Sequence, residues 1–241
     1  MENWSRSERS PQEWMSQTCQ HVIRDLQQYG ICVLDNFMGK ERAESIHRSV
    51  VNMYNSGVFI EGKTVGLNNS ADPELTKNVR NDHIAWVDGS ENNCQDIAHL
   101  IATVDTIIVN SIQTMIENKR LEKRVIGGRT KAMISCYPGN GSYYVKHVDN
   151  PNRDGRFLTT TYYVNKDWDT KIDGGMLRVF PQGWPNKVLD IEPILDRVVF
   201  FWSDRRNPHE VQPSFRTRCA VTFWYMDAKE REEAKAKRQS S

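Results

Sequence analysis

From Thr130 onward the chain breaks into short β-rich runs: "TKAMISCY", "YYVKH", "FLTTTYYVN", "GGMLRVF", "DRVVFFW" and "CAVTFWYM". Turn signals such as "PGNG", "NPNRDG", "DGG" and "RRNP" separate them. Many short strands punctuated this way predict a sandwich or barrel. The first half supplies helices to cover it. "PQEWMSQTCQHVIRDLQQYG" carries Met15, Cys19, Val22, Ile23 and Leu26 at helical spacing and stops at Gly30, a residue suited to a left-handed cap. "KERAESIHRSVVNMYNSG" repeats the pattern through Ala43, Ile46, Val50 and Met53 up to Gly57. A third helix, from about Cys94 to Lys119, places Ile97, Leu100, Ile101, Val104, Ile108 and Met115 on one face. "ICVLDNF" and "HIAWV" (83–87) are predicted strands, and residues 61–80, rich in Gly, Asn and Asp and without either period, form a long loop.

No internal repeat or interdomain linker is visible. The expected organisation is a disordered segment 1–11 and one domain, 12–228, in which helical support over about 12–119 packs on one sheet of a β core over about 130–227. A charged helix and polar tail, 229–241, follow. Hydrophobic residues at 38% suffice for a proper core. Lys+Arg 32 against Asp+Glu 31 leaves a formal charge of +1, so no nucleic-acid footprint is expected. No run approaches the roughly 18 apolar residues of a membrane span, and "MENWSRSERSPQEW" has no apolar signal-peptide core. These features predict a soluble protein of the cytoplasm and/or nucleus, a monomer without a membrane partner. The five cysteines, Cys19, Cys32, Cys94, Cys136 and Cys219, are scattered and lack C-x-x-C spacing, which predicts reduced thiols and no zinc knuckle.

Within the β-rich half, "YVKHVDNPN" puts His147 and Asp149 two residues apart. Strand residues i and i+2 point to one side about 7 Å apart, so an imidazole and a carboxylate there can converge on a metal. A polar strand end would show the same pair. The other histidine of this half is His209, in "SDRRNPHEVQP", just after the apolar strand "VVFFWS". Two histidines and a carboxylate make the facial ligand set of non-haem Fe(II) oxygenases. Zinc accepts the same ligands, but an open site without cysteine or an evident partner for an activated water points away from hydrolysis. Nine residues after His209, Arg218 opens the apolar strand "RCAVTFWYM". Pointing inward, it needs an anion, and a dicarboxylate could chelate the metal at one end and pair with Arg218 at the other.

The pattern His147-x-Asp149, His209 and Arg218 resembles the 2-oxoglutarate and Fe(II)-dependent dioxygenases. The strings "CYPGNGSYYVKHVDNPNRDGR", "YYVNKDW", "GGMLR" and "FFWSDRRNPHEVQP" are similar to the hypoxia-inducible factor prolyl hydroxylases, over about Gln12 to Ala228. The resemblance implies a double-stranded β-helix (jelly roll), mainly β, with N-terminal helices on its major sheet. It implies Fe(II) on His147, Asp149 and His209, and the distal carboxylate of 2-oxoglutarate on Arg218 and Tyr163. Tyr137 would lie beside the metal-chelating end, and Met133, Leu177, Val211 and Trp224 would line the pocket. Arg156, Trp86 and the loop 61–80 would face the protein substrate; Arg80 and Lys77 on that loop would hold its acidic residues. The implied reaction is hydroxylation of proline at C4 in the degradation segment of the hypoxia-inducible factor α subunit. 2-Oxoglutarate and dioxygen are the co-substrates, with ascorbate as a reductant, and the modified factor is destined for destruction, so the enzyme acts as an oxygen sensor. Nothing like the cysteine-rich N-terminal zinc module of many full-length animal enzymes precedes residue 12, as expected of a shorter member or an excised catalytic domain. Two other readings share the fold: a prolyl hydroxylase of another intracellular protein, and a non-catalytic β-helix binding module, which should have lost a ligand or the arginine.

Overall fold

Ser10 starts the first helix, α1 (Pro11–Gln28), with a capping box. Its hydroxyl accepts the Glu13 N–H at 3.3 Å, the Glu13 carboxylate accepts the Ser10 N–H at 3.0 Å, and Pro11 sits where no N–H is needed. The computed structural model describes residues 10–62, 79–92, 94–119, 121, 124–184 and 186–239. Gly30, at φ +76°, turns the chain out of α1 into strand β1 (Ile31–Leu34), as its position predicts. Helices α2 (Lys40–Asn55) and α3 (Gln95–Glu117) follow, with β2 (Ile60–Glu61) and β3 (His83–Val87) between them. By length and composition α3 is apolar enough to cross a membrane, contrary to the expectation from the sequence. Its Ile97, Leu100, Val104, Ile107 and Ile108 are instead completely buried in the core.

The remaining strands are β4 (Ile126–Arg129), β5 (Ala132–Tyr137), β6 (Ser142–His147), β7 (Arg156–Tyr163), β8 (Leu177–Val179), β9 (Leu189–Ile191), β10 (Val198–Trp202), β11 (His209–Ser214) and β12 (Arg218–Asp227). A short helix α4 (Thr170–Asp173) precedes β8, and α5 (Ala228–Gln239) ends the described chain. Among the described residues the larger antiparallel sheet runs β1-β10-β7-β12-β5-β3-β2, with β4 also on β12, and the smaller runs β6-β11-β8-β9. The two pack face to face through Tyr163, Val199, Phe201 and Ala220 on one side and Leu177, Val179 and Ile191 on the other. This is a jelly roll. Its larger sheet also recruits β1 and β3 from the helical half.

Because side chains alternate across a strand, β12 serves two cores at once. Cys219, Val221, Phe223 and Tyr225 join the cluster under the helices, whereas Arg218, Ala220, Thr222 and Trp224 face the interior of the roll. The same alternation places Cys136 on β5 directly opposite Cys219, with Cα atoms 4.2 Å apart, and the two form a disulfide. The expectation of five reduced thiols is corrected at this pair; Cys19, Cys32 and Cys94 are free and buried. Spacing along the chain carries no information about which residues two distant strands set opposite each other.

Asp196, buried at φ 65°, ties the helical layer to the sheet. Its carboxylate accepts the Met38 N–H at 2.7 Å, the Gly39 N–H at 2.8 Å and the Tyr162 hydroxyl at 2.8 Å. Losing hydrogen bonds to a charged acceptor while stranding buried donors costs about 1.5–3 kcal/mol each. Asp196→Ala is therefore expected to cost at least about 3 kcal/mol in urea unfolding, with Asp196→Asn recovering part of it. An alanine variant as stable as the parent would show that water replaces the carboxylate.

Candidate active site

Strand β6 ends on His147 and β11 begins on His209, and these two residues are register partners, their ring centroids 4.3 Å apart. Asp149 lies in the bend beyond β6 rather than within the strand, so the chain turns its carboxylate back toward both rings. Asp149 Oδ1 is 3.7 Å from His147 Nε2 and 3.8 Å from His209 Nε2. One ligand atom from each of the three residues falls within 4.8 Å of the others.

The backbone sets the tautomers. His147 Nδ1 is 2.8 Å from the Val145 carbonyl and His209 Nδ1 is 2.9 Å from the Asn207 carbonyl. A carbonyl can only accept, so each Nδ1 carries a proton and the Nε2 of each ring is the atom turned to the gap. Burial, reinforced by the neighbouring His209, lowers the His147 pKa from 6.5 to about 3, so this ring is neutral and ready to ligate at neutral pH. Burial pushes the Asp149 carboxyl up, but attraction to whatever charge the His209 and His147 rings carry and the hydrogen bond from Thr159 outweigh it, so its pKa lies below the ordinary carboxylate value. The Thr159 hydroxyl donates to Asp149 Oδ2 at 2.6 Å and also meets Ser203 Oγ at 2.8 Å, fixing the carboxylate plane.

The depressed His147 pKa makes a stability prediction. An unfolded histidine takes up its proton near pH 6.5, while the folded one resists until about pH 3. Acid therefore favours the unfolded state, and the contribution is lost as pH falls across that window. Metal-free protein is expected to lose melting temperature between pH 6.5 and 4 more steeply than its His147→Phe variant. Equal slopes would mean that His147 does not carry the effect.

Arg218, 2% exposed, stands deeper in the roll. Its Nε donates to the Gly175 carbonyl at 2.6 Å, and its guanidinium lies 5.2 Å from the Tyr137 ring centre and 5.1 Å from that of Tyr163. Among the described residues no carboxylate pairs with it. Among the described residues the Tyr163 hydroxyl is buried beside Arg218 with no acceptor for its proton, and burial raises its pKa, so it stays a donor. An unpaired buried cation and an orphaned hydroxyl, both open to the cavity, fit one carboxylate.

A cavity of about 470 Å³ joins the two ends of the site. Met133, Tyr137, Leu177, Val211 and Trp224 line it, and Trp86, Arg156 and Arg80 border it. Tyr137 is the register partner of Arg218, so its ring stands at the arginine end. Arg156 donates to the Asp149 carbonyl at 2.8 Å and stacks over Trp224, its guanidinium carbon 5.1 Å from the ring centre. Trp86 is 45% exposed at the mouth and lies 6.2 Å from Trp224. Arg80 pairs with buried Asp82, with Nε donating at 2.6 Å, and packs on Tyr144, which in turn stacks on His147 at 3.7 Å. Lys77 and nearly all of the loop 61–80 lie outside the described residues.

The sequence reading passed over Thr159, Thr161, Thr222 and Ser135 in the lining and Tyr144 on the His147 ring. Three of them were reachable: counting back by two from Tyr163 along β7 gives Thr161 and Thr159, and counting forward by two from Arg218 along β12 gives Ala220 and Thr222.

Residues 132–226, which carry the His, Asp, His set and the buried arginine inside the jelly roll, match the family model of the 2OG-Fe(II) oxygenase superfamily. Egl nine homolog 1 of Homo sapiens is 47% identical over 218 residues, covering 90% of this chain and 49% of that protein. The prolyl hydroxylase EGLN3 of Homo sapiens is 44% identical over 218 residues, covering 87% of that protein. A solved prolyl hydroxylase from Trichoplax adhaerens, in complex with a hypoxia inducible factor oxygen degradation domain peptide fragment, superposes with a TM-score of 0.82 at 40% identity, covering 95% of this chain and 99% of that one. The chain belongs to the Egl nine family of prolyl hydroxylases. It spans about half the length of Egl nine homolog 1.

Proposed function

We propose that the protein hydroxylates a proline of the hypoxia-inducible factor α degradation segment at C4, consuming 2-oxoglutarate and dioxygen, and so couples oxygen level to the lifetime of that factor. The observation that carries this reading is the near-complete overlap with the Trichoplax adhaerens hydroxylase solved with such a peptide, joined to a site in which all four polar groups of the chemistry are present. His147, Asp149 and His209 would hold Fe(II), which supplies one-electron chemistry with dioxygen when bound. Arg218 and Tyr163 would hold the far carboxylate of 2-oxoglutarate and so set its direction along the cavity. Apolar Met133, Leu177, Val211 and Trp224 exclude water from the reacting end. Trp86 and Arg156 at the mouth would receive the peptide, with Arg156 fixed to the backbone of a metal ligand. Incubation with Fe(II), ascorbate, 2-oxoglutarate and a panel of proline peptides, read by mass spectrometry, tests the reading. Gain of one oxygen on the degradation-segment proline is expected. Oxidation confined to peptides of other intracellular proteins would overturn it in favour of a different substrate, and binding without turnover would point to a non-catalytic module.

A further inference from the structure

The charged helix α5 meets the loop next to the active site, and Glu230 is the side chain of it that reaches Asn150. Asn150, next to Asp149 and 5% exposed, is the hub of the loop that runs to Arg156. Its Oδ1 accepts the Asp154 N–H at 2.7 Å, and its Nδ2 donates to the Arg156 carbonyl at 2.7 Å and to Glu230 Oε1 on α5 at 2.8 Å. The helix is itself anchored, since the Glu230 N–H donates to Asp227 Oδ1 at 2.8 Å. Around this bond the two segments interlock. The Asp227 N–H donates to the Gly155 carbonyl at 2.9 Å, and Arg231 Nη1 donates to the Asp154 carbonyl at 3.3 Å. Gly155 has φ +101°, and a Cβ there would come within 3.0 Å of the Arg231 backbone, so only glycine lets the loop lie this close.

We propose that Glu230 is a positioning residue for substrate: acting through Asn150, it fixes the loop 150–155 and thereby the place of Arg156 at the cavity mouth. A carboxylate suits the task because a charged acceptor makes a stronger bond to the amide than a neutral one. The amide is also already committed to the Arg156 carbonyl, so Glu230 orders two points of the loop with one contact. His147, His209 and Arg218 are held by the sheets, and the Asp149 carboxylate is fixed by the Thr159 hydroxyl of β7, so none of these contacts involves α5. The inference rests on the hydroxylase reading for its kinetic readout and on geometry alone for its structural one.

Hydrogen exchange and kinetics on the whole chain test it, using Glu230→Ala and Glu230→Gln. The alanine variant should exchange its 150–156 amides faster, Asp154 foremost. It should also raise the KM for the peptide about tenfold, the equivalent of one charge-assisted hydrogen bond, with kcat and the KM for 2-oxoglutarate within about twofold. Glutamine, which keeps an oxygen facing Asn150, should restore most of both. Unchanged exchange in Glu230→Ala, a fall in kcat instead of a rise in peptide KM, or a glutamine variant as impaired as alanine would each overturn the proposal. If no proline peptide is turned over, the hydroxylase reading fails, while the exchange data still decide the role of Glu230.

Discussion

His209→Ala is expected to abolish turnover and to reduce Fe(II) retention by more than the roughly 10–100-fold that loss of an outer-shell partner typically costs. The substitution takes away one of the two Nε2 ligand atoms and leaves Asp149 with His147 alone. His147→Ala and Asp149→Ala should behave alike, since each removes a third of the ligand set. Asp149→Asn is milder because it keeps the shape and the Thr159 contact while dropping the charge. The fold should survive, for the ligands sit at the mouth of the roll and the cluster under the helices contains none of them. Binding of Fe(II) by calorimetry and the thermal melt of the metal-free protein separate the two effects. Full activity of His209→Ala with added Fe(II) would remove that residue from the site, and a collapsed melt in all three alanine variants would assign the triad to the core instead.

The second large effect concerns Arg218. Breaking a buried charge pair by removing one partner costs about 3–5 kcal/mol, which corresponds to roughly 10²–10⁴-fold in affinity. Arg218→Ala is expected to raise the 2-oxoglutarate requirement by about that much, and Arg218→Lys by less, because lysine keeps the charge and loses the fork. The sign of the stability change differs from that of the function. Without its dicarboxylate the arginine is a buried cation held by the Gly175 carbonyl and two aromatic rings, so the alanine variant should melt no lower than the parent in the absence of 2-oxoglutarate. What it should lose is the rise in melting temperature that 2-oxoglutarate gives the parent. An unchanged 2-oxoglutarate dependence in Arg218→Ala would mean that another residue carries the carboxylate.

The site was legible where its signal was local. His147 and Asp149 stand two apart, His209 comes just after the apolar run "VVFFW", and Arg218 opens β12, a strand buried at every position, so each stood out beside an apolar stretch. The turn at Gly30 was legible for the same reason, since it depends on residues within one helical turn; the capping box at Ser10 is as local, yet it falls in the segment expected to be disordered. Tyr144 was hidden because its role comes from stacking on a ring three residues along a strand whose bend cannot be read from its period. Glu230 was hidden more completely, in a segment whose composition resembles any solvated charged helix.

What the sequence determined by itself was periodicity: which stretches are helix or strand, which face of each is apolar, and which polar side chains break an apolar face. Those follow from backbone geometry and burial, which act within a few residues. Only the tertiary structure decided register. Pairing β12 with β5 set Arg218 opposite Tyr137 and Cys219 opposite Cys136, and pairing β11 with β6 set His209 opposite His147. A slip of one residue would have turned Arg218 into the helical core and the cysteines into the cavity. That choice is made by the fit of the helices and the two sheets to one another, through residues far apart in the chain, and no local pattern encodes it.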